Sequence, residues 1–264
     1  MTMFGLIIFG MIMLAGCRAG VPAGRAAPPR RPLQVVGLGD SVPAAYGCGC
    51  SGFVEQSADT IGRLTRRQVV VHNDAVSGWT TADVVKDLKT GTGHDDLADG
   101  ADLVIVEAGA NDLDLGRITD PTCGRVDTSP CFRPELEVVD QALTKAVQLI
   151  RSTDPDHDPR IVLMGYWDVS VDGAVARRRG ADYGRDSNEL TLALNRVVRT
   201  VVARTGAIYV DAYTPLKGPD GGRDPSPYLL GDGDHPNRAG HRLLAKAVVS
   251  RLQQTGAIAS WSRR

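Results

Sequence analysis

Short apolar runs alternate with amphipathic stretches along most of this chain. Five runs are near-continuously apolar and rich in β-branched residues: 33–37 (LQVVG), 69–73 (VVVHN), 103–107 (LVIVE), 161–165 (IVLMG) and 207–210 (AIYV). Each is too short for a helix and shows little in/out alternation, the pattern of strands covered on both faces. Between them, residues 135–151 place Leu136, Val139, Leu143, Ala146, Val147 and Ile150 at helical spacing. Residues 187–204 do the same with Leu190, Leu194, Val197, Val198 and Val201, and Leu244, Val248 and Leu252 mark a final helix. Strands alternating with helices predict an α/β domain of three layers, α/β/α, around a central parallel sheet of about five strands. Functional groups are then expected at the carboxyl ends of the strands. The pattern holds no internal repeat, and one domain is expected over residues 33–264.

The first 17 residues follow a different pattern. They carry no charged side chain and end in Leu14-Ala15-Gly16-Cys17. The apolar run has the length of a signal-peptide core and is short for a membrane span. Small residues before a cysteine resemble the lipobox of bacterial lipoproteins, which implies diacylation of Cys17 after cleavage, although no Lys or Arg precedes the run. The expectation is an exported protein held at the outer face of the cell membrane through that lipid, the alternative being a secreted one. Residues 18–32 (RAGVPAGRAAPPRRP) lack periodicity and read as a flexible tether.

Composition changes this picture in two places. A net charge of -1 over 264 residues gives no general attraction to nucleic acid, and 42% hydrophobic residues suffice for a sizeable core. Export would make the remaining cysteines candidates for disulfides. A local bridge between Cys123 and Cys131 is the economical pairing, which leaves Cys48 and Cys50 to form a small ring of the redox-labile kind. Cross-pairing between the two segments is the alternative. A zinc centre is disfavoured, because these four cysteines lack the usual closely spaced ligand pairs.

The candidate chemistry lies at the predicted strand ends. Gly39-Asp40-Ser41 follows the first strand, where a tight glycine turn would present the serine at a helix start. A serine hydroxyl needs a base, and Asp232-Gly233-Asp234-His235-Pro236 supplies one near the other end of the chain. A three-residue separation would set Asp232 and His235 on one helical face, so that the carboxylate fixes the tautomer of the ring. Asp234, adjacent to His235, is the poorer orienter. Asn73-Asp74-Ala75-Val76-Ser77-Gly78 and Gly109-Ala110-Asn111-Asp112 follow the second and third strands and offer donors for a developing oxyanion. His72, His94, His157 and His241 are read as structural or solvated. Trp79, Tyr166 and Trp167 are candidates to line a pocket, and Arg177-Arg178-Arg179 is read as a solvated charge run in the loop after the fourth strand.

Taken together, the four blocks resemble those of SGNH hydrolases of the GDSL esterase/lipase superfamily, in the order Gly39-Asp40-Ser41, Asn73 to Gly78, Gly109-x-Asn111-Asp112 and Asp232-x-x-His235-Pro236. The resemblance spans most of the predicted domain and implies a flavodoxin-like fold with no metal or organic cofactor. It implies Ser41 as nucleophile, His235 as base, Asp232 as orienter, and an oxyanion hole from Gly78, Asn111 and the Ser41 amide. The expected activity is hydrolysis of carboxylic esters (small acyl, lipid or acetylated-glycan) by a monomer. An acyltransferase of the same fold is the alternative. A non-catalytic surface lipoprotein is disfavoured by the intact set of residues.

Overall fold

The computed structural model describes residues 30–123 and 131–263. The expected signal segment, Cys17 and nearly all of the expected tether lie outside the described residues.

Five strands, β1 (Leu33–Gly39), β2 (Val69–Asn73), β3 (Leu103–Glu107), β4 (Arg160–Met164) and β5 (Ile208–Val210), form one parallel sheet in the order β2-β1-β3-β4-β5. Nine helices surround it among the described residues: α1 (Phe53–Thr65), α2 (Thr81–Thr90), α3 (Thr92–Ala98), α4 (Arg133–Thr153), α5 (Gly173–Arg179), α6 (Ala181–Thr205), α7 (Tyr213–Lys217), α8 (Arg238–Gln254) and α9 (Ala257–Arg263). Alternate side chains of each central strand enter opposite cores. Val36, Leu38, Val104, Val106, Ile161 and Leu163 pack under α2, α3, α4 and α6. Val35, Leu103, Ile105, Val162, Met164 and Val210 pack under α1, α8 and α9. Burial on both faces is why these strands carry almost no polar residue, and the expected three-layer α/β/α fold is the one observed.

Two parts of the expected pattern need correction. Helices α2 and α3 escaped the periodicity because their core faces carry polar or small residues, Thr81 and Asp87 in α2 and Gly93 in α3; α1, also absent from the expected pattern, does carry Phe53, Val54, Ala58 and Ile61 at helical spacing. One signal did announce α2. Thr80 accepts from the Asp83 N–H while the Asp83 carboxylate accepts from the Thr80 N–H, a capping box readable as T-x-x-D. Arg177-Arg178-Arg179 belongs to the short helix α5 rather than to a loop. There Asp172 caps the first turn, Arg177 pairs with Asp224 at 3.0 Å, and Arg179 lies over the Tyr183 ring.

The strand order reverses beside β1, and at such a switch point the connections from neighbouring strands depart to opposite faces and leave a crevice. The loops after β1, β2 and β3 all open at that edge.

Candidate active site

The loop after β1 is fixed by backbone demands. Gly39 has φ +135°, and a Cβ there would lie 1.9 Å from the Glu107 carbonyl oxygen, so only glycine fits. Asp40 donates its N–H to that same oxygen at 3.0 Å. Its buried carboxylate accepts from the Val42 N–H at 3.1 Å and the Tyr166 hydroxyl at 2.5 Å. Ser41 therefore leaves β1 half-buried, but it does not begin a helix as expected. A series of turns runs to Cys48, and α1 starts only at Phe53. The departure has local causes: Ala45, Gly47 and Gly49 all adopt positive φ, and Cys48 is bridged to Cys50.

The second block clamps this loop. The Asn73 amide donates to the Pro43 carbonyl at 2.9 Å and to Glu55 Oε1 at 2.6 Å, tying the end of β2 to the serine loop and to α1. Gly78 lies beyond it with φ +87° and open space where a side chain would stand. The third block reaches the same place from β3. Asn111 Nδ2 donates to the Trp79 carbonyl at 2.9 Å, and the Asp112 carboxylate accepts from the Thr81 N–H at 2.9 Å and hydroxyl at 2.6 Å. Gly78 and Asn111 are thus fastened side by side, each solvent-facing. An amide has two N–H donors, so Asn111 keeps one beyond its bond to Trp79. The Ser41 and Gly78 N–H groups have no partner among the described residues.

His235 approaches from the loop before α8. Asp232 Oδ1 accepts from the N–H groups of Asp234 (2.9 Å) and His235 (3.1 Å), while Oδ2 meets His235 Nδ1 at 2.8 Å. The pair is held by a tight turn and not by the helical turn expected, because the Asp232 side chain itself supplies the acceptor that closes it. Gly233 (φ +77°) packs on α5, where its carbonyl accepts from the Asp172 N–H at 2.7 Å. Asn237 then caps α8. Asp234 Oδ2 stands 4.0 Å from Nδ1. Burial opposes ionisation of Asp232, but its hydrogen bonds from Asp234 and His235 hold the carboxyl below its usual range, whereas burial raises Asp234 to about 6. The serine loop and the histidine loop meet through Tyr46, whose ring lies 4.8 Å from the His235 ring and whose N–H donates to the Ser41 carbonyl at 3.0 Å.

Sequence reasoning missed the floor of this site. Tyr166 and Trp167 do not line a pocket; both are buried, Tyr166 on Asp40. Glu107 is buried beside them with neither carboxylate oxygen hydrogen-bonded among the described residues. Its one sequence signal is a lone acid closing an otherwise apolar strand. Burial, and then the charge of Asp40, raise the Glu107 carboxyl well above its ordinary range, and burial takes Asp40 to about 6. The native protein accordingly keeps a proton that the unfolded chain releases. Stability therefore falls as pH rises from the unfolded value toward the native one, by up to about 1.4 kcal/mol per pH unit for one proton. Glu107→Gln cannot ionise and should flatten this slope. Thermal melts of variant and parent are expected to agree near pH 4.5 and to favour the variant at pH 8; parallel pH profiles would refute the assignment.

Both disulfides follow the economical pairing, Cys48 with Cys50 and Cys123 with Cys131. Chain-entropy arguments give about 1.6 kcal/mol for the smaller ring and about 2.6 kcal/mol for the larger. Of the four remaining histidines, His72 pairs with Asp96 at 3.1 Å, His157 with Asp154, and His94 Nδ1 meets the Leu88 carbonyl. His241 is different, being fully buried on α8 with no partner for either ring nitrogen among the described residues. Burial, with His235 nearby, lowers its imidazole to about 4.

A parallel three-layer domain whose strand ends bring serine, glycine, asparagine and an Asp–His pair to one edge defines an SGNH-type hydrolase. The chain belongs to the GDSL-like lipase/acylhydrolase family, whose pattern matches residues 38–243. Solved structures share the fold. A lipase from a goat rumen metagenome is 18% identical, with a TM-score of 0.66 over 83% of this chain and 97% of its own. An acetylxylan esterase from Geobacillus stearothermophilus is 19% identical, with a TM-score of 0.57 over 83% and 94%. A lipase/acylhydrolase from Enterococcus faecalis is 21% identical, with a TM-score of 0.58 over 84% and 96%. No curated protein matches the chain.

Proposed function

We propose that this hydrolase cleaves carboxylic esters through an acyl-enzyme on Ser41. The observation that carries the reading is the 2.8 Å contact of Asp232 with His235 Nδ1, which directs Nε2 of the same ring away as a base. In the proposed reaction Nε2 takes the Ser41 hydroxyl proton as Oγ attacks the ester carbonyl. The resulting oxyanion is received by the N–H groups of Ser41 and Gly78 and by the Asn111 amide. Collapse expels the alcohol, which takes the proton from the imidazolium, and water repeats the cycle to release the acid. Turnover of p-nitrophenyl acetate, with mass spectrometry of Ser41 for the acyl adduct, tests it; absence of both would end the proposal. Asn111→Ala should lower kcat by about 10²–10³ with little change in KM, because its hydrogen bond strengthens as charge develops. A change in KM alone would make Asn111 a substrate-positioning group.

The substrates proposed are small acyl, lipid or acetylated-glycan esters. The solvent-facing positions of Gly78 and Asn111 and the names of the neighbours, among them an acetylxylan esterase and lipases, support that range. The proposed setting is the outer face of the cell membrane, with Cys17 diacylated. No helix of the described residues is long and apolar enough to cross a membrane. Two acyl chains on Cys17 would give a stable hold where one does not. Detergent should be needed to release the protein from membranes, and Cys17→Ala should block processing and lipid attachment; processed protein lacking acyl mass would leave the secretory alternative.

A further inference from the structure

The Cys48–Cys50 bridge and His241 together form a cluster that ester hydrolysis does not use. The two cysteines are half-exposed, on the loop that carries Ser41, while His241 lies fully buried on α8, stacked 6.3 Å from Phe53. Both sulfurs and a ring nitrogen of His241 lie within 4.8 Å of one another. A bridge across a sequence separation of 2 restricts the unfolded chain less than the Cys123–Cys131 bridge does. His241 is a buried ring whose two nitrogens bond to nothing among the described residues, and a buried polar group of that kind calls for a physical explanation.

We infer that Cys48, Cys50 and His241 form a thiolate–imidazole site for a soft divalent cation of the zinc type once the Cys48–Cys50 bridge is reduced. A dithiol supplies the two electrons and two protons that open the bridge and is itself oxidised to a disulfide. The cation then forms two bonds to sulfur and one to nitrogen, displacing both thiol protons and leaving a fourth position for water. Zinc–ligand bonds of about 2.0–2.3 Å require donor atoms roughly 3.5–3.8 Å apart, so on reduction the two sulfurs must part from bonding distance, with the His241 nitrogen already within 4.8 Å of both. The cysteine pattern by itself argued against a zinc centre; the missing donor comes from 191 positions beyond Cys50, through the packing of α8.

The test uses the full chain, reduced with excess dithiol without oxygen, freed of reductant and titrated with Co²⁺. One equivalent should bind with thiolate-to-cobalt charge-transfer absorption, be displaced by Zn²⁺, and fail to bind to the oxidised protein. The Cys123→Ser/Cys131→Ser variant should keep the signal, whereas Cys48→Ser and His241→Gln should weaken binding by about 100-fold or more. X-ray absorption of the zinc form should show two sulfurs and one imidazole, which settles the ligand set even if His241→Gln fails to fold. Absence of the charge-transfer band, its loss with Cys123 and Cys131, or a zinc shell without imidazole would overturn the inference.

Discussion

Ser41→Ala is expected to lower kcat on a short-chain ester by about 10⁶-fold while the fold and its melting temperature stay essentially unchanged. The loss follows from removing the only atom proposed to form the acyl bond. The fold should survive because the hydroxyl makes no hydrogen bond among the described residues. The loop is held instead by Asp40 on Val42 and Tyr166 and by the Asn73 amide on Pro43. Residual activity should remain above the uncatalysed rate, since the N–H groups of Ser41 and Gly78 and the Asn111 amide would still receive the oxyanion of a water-driven reaction. Steady-state kinetics beside circular dichroism decide the point. A variant that loses less than about tenfold would move the nucleophile elsewhere.

Asp232→Asn carries the second-largest effect, about 10⁴-fold in kcat. The amide would still span the gap to Nδ1, but it can present an N–H there and stabilise the wrong tautomer. It also offers no charge to balance the imidazolium. Asp232 further accepts the Asp234 and His235 N–H groups, so the substitution keeps one oxygen for them, whereas Asp232→Ala would also loosen the turn. Asp234→Asn should cost far less, because its carboxylate stands 4.0 Å from Nδ1. If Asp234→Asn proved the more damaging of the two, the orienting role would pass to Asp234.

Much of this architecture was legible along the chain. Strands such as Leu103–Glu107 announced themselves because burial on both faces leaves no polar alternation. Helices α4 and α6 did so because long amphipathic stretches repeat their period several times. By contrast, α2 and α3 put threonine, aspartate and glycine against the core beside few apolar residues, and a period cannot be read from residues that do not look apolar. The turn around Asp232 was mistaken for a helical one because a three-residue separation suits both; only the hydrogen bonds from the following N–H groups distinguish them.

The sequence by itself determined the fold class, the strand-end location of the site and the identities of Ser41, Gly78, Asn111, Asp232 and His235 as candidates. Each of those rests on a local pattern, a period of apolar residues or a short block whose residue types suit one chemistry. Tertiary structure alone decided which distant groups meet. Tyr166 reaches Asp40 across 126 positions, Asn111 reaches Trp79 across 32, and His241 comes to lie beside Cys48 and Cys50. Such pairings leave no periodicity and no spacing to read, because they arise when strands and helices far apart in the chain are packed into adjacent layers. The protonated Glu107 belongs to the same category: an acid at the end of a strand is ordinary until the layers close over it and remove its water.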